Sequence, residues 1–391
     1  MKYNFDKVID RSGTSAEKVE GLKHIWGRTD LIPLWVADMD FATAPFVTDA
    51  IRKRCENEVL GYTGKPDSYY NAIINWVKQR YDLIVTKEVI NFVPGIVPGI
   101  GMAMNCFTQK GDKVMIQPPV YHPFAWVTTR NERTLVTNPL KWENGMYRMD
   151  LDTFREQIKG CKLFILCNPH NPGGVVWTEA ELRAIADICY DEKVLVFSDE
   201  IHADLTLPPH THRPFATVCE KARMNSVTFM SPSKAFNMPG LSASHALIFN
   251  EDLRKRFRIY MDAGELDMGH VFAFLSVEAA YSHGTEWLDQ CLAYIQGNID
   301  FVDDFLKNHA PKIKAIRPEA SYLVWLDCRE LKLSQKDLNE FFVDKAHLAL
   351  NDGEMFGKEG IGFMRLNVAS PRCIIEKAMK QLADAYQLYI K

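Results

Sequence analysis

Between about residues 90 and 250, short apolar runs rich in valine, isoleucine and phenylalanine alternate with longer stretches of helical periodicity. This alternation constrains the fold more than any other feature, because it is the pattern of an α/β architecture built on a parallel sheet. Strands are predicted at residues 113–117, 163–167, 194–198, 227–230 and 246–249, each ending near polar, Gly or Pro residues. Between two of them Thr178 is placed to cap a helix, with Glu181 three residues on as in a capping box. Leu182, Ile185, Ala186 and Cys189 then form one apolar face, which suits a crossover helix. In open parallel sheets ligands collect beyond the carboxyl ends of the strands, so the polar residues after each strand are where chemistry is sought.

After about residue 285 the character changes. A long helical stretch at 286–309 leads to a strand at 321–327, a charged helix and the segment 361–369. A chain of 391 residues exceeds one compact domain at ~150 residues each. The expected division is an N-terminal arm at 1–45 joining a small domain, a large domain at 46–284, and that small domain at 285–391. The arm holds LWVADMDF at 34–41, which reads as extended chain rather than a sheet strand.

Composition excludes several classes. Lysine and arginine (46) against aspartate and glutamate (50) leave a net charge of −4, and no basic block marks a nucleic-acid footprint. The amino terminus lacks the apolar stretch of a secretory signal, and no run approaches the ~18–20 apolar residues that cross a bilayer. A cytoplasmic protein with no membrane partner is expected. The nine cysteines are scattered without a CxxC pair, and read as reduced packing residues. His210 and His212 in PPHTH have no convincing third ligand nearby, so they read as loop residues and no metal site is expected.

Four strand-end segments carry the candidate chemistry. In SPSKAFNMPG (231–240), Ser231 and Ser233 precede Lys234 by three residues and one, where hydroxyls can bind a phosphate beside a lysine imine. In FSDEIHADL (197–205), Asp199 suits a carboxylate that keeps a pyridine nitrogen protonated. Alternation sends Asp199 and Glu200 to opposite faces, so only one of them can point at such a ring. His202 is placed to support Asp199 or the ring's 3′-oxygen. In CNPHNPGG (167–174), a turn made by two Asn-Pro steps and paired glycines, Asn171 has an amide to donate to that phenolate oxygen. In FVPGIVPGIGMAM (92–104), a glycine-bearing loop enters an apolar helix, and the amides of Gly95, Ile96 and Val97 form an anion site. Each segment offers one part that a single cofactor, pyridoxal 5′-phosphate (PLP), requires.

Asn171, Asp199, Ser231, Ser233 and Lys234, in this order and spacing, resemble the signature of fold-type I, class I and II aminotransferases, and the resemblance covers essentially the whole chain. Within that superfamily LWVADMDF, GYTG (61–64), PPVYHPF (118–124), SDEIHADL and MRLNVASPR (364–372) resemble the MalY/PatB-type cystathionine β-lyases, or C–S lyases. The resemblance implies a three-layer large domain around a mostly parallel seven-stranded sheet, with a smaller α+β domain. It also implies that Tyr121 stacks on the pyridine face and that Tyr62 reaches the phosphate of a neighbouring subunit in a homodimer. Arg365 would grip the substrate α-carboxylate, with Val36, Ala37, Tyr121 and Tyr62 also at the substrate. Many aminotransferases place a phosphate-binding arginine eight residues after the lysine, and that position here is Ser242. The departure speaks against an ordinary transaminase and leaves open which cation, if any, faces the phosphate.

The implied reaction is β-elimination from an L-cysteine S-conjugate such as cystathionine, with Lys234 as the base, Asp199 and Tyr121 supporting it, and thiol, pyruvate and ammonia as products. The rivals are aminotransfer on the same fold, and a regulatory protein that keeps PLP as a structural ligand and acts through a protein partner.

Overall fold

The computed structural model describes residues 2–390. Seven strands form the main sheet: β1 (Ile90–Val93), β2 (Lys113–Ile116), β3 (Thr134–Thr137), β4 (Cys161–Cys167), β5 (Leu195–Asp199), β6 (Ser226–Met230) and β7 (Ser244–Leu247). Their order is β1-β7-β6-β5-β4-β2-β3, with only β7 antiparallel to its neighbours.

Five of these strands lie within a few residues of those expected from the sequence. β1 and β3 were not among the expected strands, for different physical reasons. The apolar run of β1 is broken by Asn91, whose amide is satisfied by the carbonyls of Val89 and Ala246. β3 is an edge strand, with a Thr-Leu-Val-Thr sequence that is only half-buried.

Side chains alternate across the sheet, as a pleated strand requires. Along β5, Val196 joins Leu182 and Ile185 of the helix Glu179–Asp191, while Phe197 joins Ile96 and Ile100 of the helix Ile96–Phe107. Each fully buried phenylalanine of this kind contributes about 1.5–3 kcal/mol. Helices Asp67–Tyr81 and Val271–His283 extend the first face through Trp76, Val277 and Ala280. The result is three layers with the sheet in the middle. The crossover helix carries the expected capping box: Thr178 accepts from the Glu181 amide while Glu181 accepts from that of Thr178.

A second sheet of four antiparallel strands has β8 (Lys314–Ile316), β9 (Leu323–Asp327), β10 (Asn351–Asp352) and β11 (Phe363–Asn367) in the order β8-β9-β11-β10. Helices Thr285–His309 and Arg372–Ile390 pack Ile295, Ile299, Ile375 and Met379 against Val324 and Leu366 of this sheet. Ile32–Pro33 pairs with Leu348–Ala349, and the following residues run on as extended chain. That chain is held by side-chain amides: Asn367 donates to the carbonyls of Val36 (2.7 Å) and Asp38 (2.6 Å), and Asn237 to those of Met39 (3.0 Å) and Phe41 (2.7 Å). Among the described residues no helix is long and apolar enough to cross a membrane, and no cluster of His, Cys, Asp and Glu has metal-binding geometry.

Candidate active site

The carboxyl ends of β4, β5 and β6, the start of the helix Ile96–Phe107 and the arm converge on a cavity of about 210 Å³. Its wall includes Lys234, Asp199, Asn171, Tyr121, His202 and Ser233. Gly95, Ile96 and Val97 line it as well. Gly95 precedes the helix with φ +134°, ψ 159°, a conformation essentially reserved for glycine, and it leaves the first amides of the helix without intrahelical partners. Free amides at a helix start favour an anion, and Ser233 lines the same cavity.

Asp199 is the last residue of β5, and its Oδ1 accepts the Ile201 amide at 3.1 Å. Burial pushes its carboxyl up to about 7; the Ile201 amide opposes this, Glu200 adds to it, and the charge of Lys234 opposes it. Glu200 does not line the cavity. It accepts from Ser198 Oγ (2.8 Å) and the Phe215 amide (2.8 Å), and pairs with His212 Nε2 at 2.8 Å. His212 thus stands on a loop, buried in this pair behind the strand.

Lys234 Nζ donates to the Ala37 carbonyl at 2.6 Å. Burial brings its amine down to about 8; Asp38 resists, Arg365 assists and Asp199 resists. His202 is driven down to about 3 by burial, then by Lys234 and Arg365, and its Nδ1 has no partner. It makes no hydrogen bond to Asp199. Tyr121 is pushed up to about 12, by burial and then by Asp199, so its hydroxyl keeps its proton.

Arg365, on β11, is buried outside the cavity wall and reaches it through Asn171. Its Nη1 donates to Asn171 Oδ1 at 3.1 Å, and Nη2 to the Trp35 carbonyl at 3.0 Å and to Asn351 Oδ1. Burial lowers even this guanidinium to about 10. Phe356 lies 4.8 Å beneath it, and Nε is a buried donor without a partner.

Besides Arg365, three expected residues stand away from the wall. Ser231 spends its hydroxyl inside the turn: its one proton goes to the Ala243 carbonyl (2.7 Å), and its oxygen accepts from the Ser233 amide (3.1 Å) and lies 2.9 Å from Ser233 Oγ, so it orients Ser233. Val36 offers its carbonyl to Asn367, and the arm residue on the wall is Ala37. Tyr62 is 99% exposed on an open loop. Ser242 does line the cavity, and among the described residues of the wall Lys234 is the only lysine or arginine. Apart from Lys234, an anion at this wall would meet hydroxyls and amides. Sequence reading missed Tyr322, whose hydroxyl shares the Ala37 carbonyl at 3.0 Å, and Asn351, the partner of Arg365. No motif signals either one, because both meet the site only through the second sheet.

The profile of the aminotransferase class I and II family matches residues 29–382. The chain belongs to this family. Cystathionine β-lyase PatB of Bacillus subtilis is 38% identical over 98% of this chain and 99% of its own length. Two solved structures are also similar. Cystalysin from Treponema denticola, which contains a pyridoxal 5′-phosphate cofactor, superposes with a TM-score of 0.96 at 34% identity, over all of both chains (100% each). The PLP-bound C–S lyase from Staphylococcus hominis has a TM-score of 0.91 at 36% identity, covering 99% of this chain and 98% of that one. This class I and II family chain thus resembles lyases along nearly its whole length.

Proposed function

We propose that the chain is a PLP-dependent carbon–sulfur lyase that cleaves cystathionine or related L-cysteine S-conjugates by β-elimination. The observation that carries this reading is the cavity shared by Lys234, Asp199 and the Gly95–Val97 segment. The groups present fit the cofactor. An amine can hold its aldehyde, a carboxyl can take its ring nitrogen, Asn171 offers an amide, Tyr121 a flat ring, and the unpartnered Nδ1 of His202 a further polar atom.

When bound, PLP supplies an electron-withdrawing ring that joins the substrate amine and takes up the charge left at Cα. Lys234, with its amine near 8, has a neutral fraction at neutral pH that can remove the Cα proton. Asp199 offers a negative charge to the protonated ring nitrogen, and that pairing draws the carboxyl back to its ionised form. Arg365 orients the substrate carboxylate, which would satisfy its lone Nε–H; a buried donor left bare costs about 1–3 kcal/mol. The Cβ–S bond breaks with its electron pair going to sulfur. The thiol leaves with a proton, and water converts the remaining three-carbon unit to pyruvate and ammonia.

Exposed Val59, Leu60 and Tyr62 support pairing of two copies, with Tyr62 reaching the partner's cavity. All nine cysteines are free, which supports a reducing compartment, the cytoplasm. Containment of the main sheet within residues 90–247 and of the second within 314–367 supports the division at 1–45, 46–284 and 285–391.

The test is incubation with cystathionine without any keto acid. Equimolar homocysteine and pyruvate are expected. Amino transfer to added 2-oxoglutarate without pyruvate would overturn the lyase reading, and a yellow protein inert toward sulfur amino acids that binds a protein partner would favour a regulatory role.

A further inference from the structure

The arm that carries Ala37 is tied down by charges that the chemistry above does not use. Lys18 is wholly buried, at 0% exposure, and donates to Asp40 Oδ2 at 2.8 Å and to the Asp38 carbonyl at 3.4 Å. Arg11 spans the same two acids, with Nη1 2.9 Å from Asp40 Oδ1 and 3.2 Å from Asp38 Oδ1. Burying an ammonium is expensive unless its partners are well placed, and removing one partner strands the other. Next to Asp38, the Ala37 carbonyl receives both Lys234 Nζ and the Tyr322 hydroxyl. Two bases on two acids therefore fix the segment whose carbonyl meets the lysine.

We propose that Arg11 and Lys18 are positioning residues for Lys234: by clamping Asp38 and Asp40 they hold the Ala37 carbonyl against its amine and offset the Asp38 charge beside it. This rests on Lys234 being the amine that holds the cofactor. The charged groups facing Lys234 are Asp38 and Asp199, which favour its protonated form, and Arg365, which opposes it. His202 faces it uncharged, and Tyr322 shares its carbonyl acceptor. Loss of Arg11 leaves the Asp38 charge less balanced, so the amine keeps its proton to higher pH. Loss of the Asp38 carboxylate does the reverse. A clamp that merely stabilised the fold would not give opposite signs.

The experiment titrates the cofactor absorbance of the holoenzyme against pH in wild type, Arg11→Gln, Arg11→Lys and Asp38→Asn, with circular dichroism confirming the fold. Arg11→Gln is expected to raise the transition and Asp38→Asn to lower it, each by roughly half to one pH unit, while Arg11→Lys stays near wild type. The pH dependence of Lys234 acetylation in cofactor-free protein, read by mass spectrometry, is expected to follow the same order. Shifts of the same sign, or no shift, overturn the proposal. If Arg11→Gln fails to fold, Asp38→Asn decides alone, and an upward or absent shift overturns it. A Lys234→Ala protein that keeps the absorbance band unchanged overturns the assignment of Lys234 itself, which separates the two failures.

Discussion

Replacing Asp199 by asparagine separates what this carboxyl costs the empty fold from what it gives the chemistry. Asparagine keeps the shape and can still accept the Ile201 amide, but it does not ionise. In the cofactor-free protein the Asp199 carboxyl rises from its ordinary 3.8 to about 7, chiefly because it is buried. A group whose folded pKa is raised stabilises the fold fully below its unfolded pKa, and that contribution is lost as pH climbs through the folded value. At 1.36 kcal/mol per pKa unit, the wild type is expected to lose about 4 kcal/mol relative to the variant between pH 4 and pH 8. Urea unfolding of both cofactor-free proteins across this range reads the difference directly. The variant gains on wild type as pH rises, and the gap levels off above about pH 8. With PLP added the order reverses, because only the wild type offers the ring nitrogen a charge, and ligand binding to the native state adds to stability. A gap independent of pH, or one that closes as pH rises, would refute the desolvation argument and show a carboxylate already paired within the fold.

Three further outcomes follow from the same geometry. Arg365→Lys loses the planar fork held by Asn171, the Trp35 carbonyl and Asn351, so KM for cystathionine is expected to rise about tenfold or more; steady-state kinetics showing only a fall in kcat would contradict this. Gly95→Ala forces a side chain onto φ +134° with Cβ 3.3 Å from Pro98 Cδ, a strain of about 1–3 kcal/mol that is expected to weaken PLP binding about tenfold in equilibrium dialysis; unchanged affinity would count against the amide cradle. Because the proposed base Lys234 must lose its proton to act and its amine lies near 8, kcat/KM is expected to climb from pH 6 through a midpoint near 8 to a plateau above about 9, and a decline over that range would contradict its role as base.

Much of the fold is legible in the sequence because β2, β4, β5 and β6 are short apolar runs bounded by turn residues, and because Thr178 and Glu181 announce their helix. β1 and β3 escape for want of such a run: one contains a satisfied asparagine and the other is a polar edge. In the candidate site, Lys234, Asp199, Asn171 and Gly95 are visible as polar or glycine residues just past strands, which is where an open α/β sheet gathers its ligands. Tyr322, Asn351 and Asp38 are not: Tyr322 and Asp38 act on residues far along the chain, and Asn351 meets Arg365 only through pairing in the second sheet. Ser231 shows the limit of spacing from the other side. Two serines flank the same turn, but hydrogen bonding inside the turn consumes one and presents the other.

The central claim is that one amine and one carboxyl bracket a single pyridine ring. Borohydride reduction of the PLP-loaded protein followed by peptide mapping tests it most directly. The reduced cofactor is expected on Lys234 alone, with the absorbance band lost. A band unaffected by borohydride, or a label on any other lysine, would contradict it.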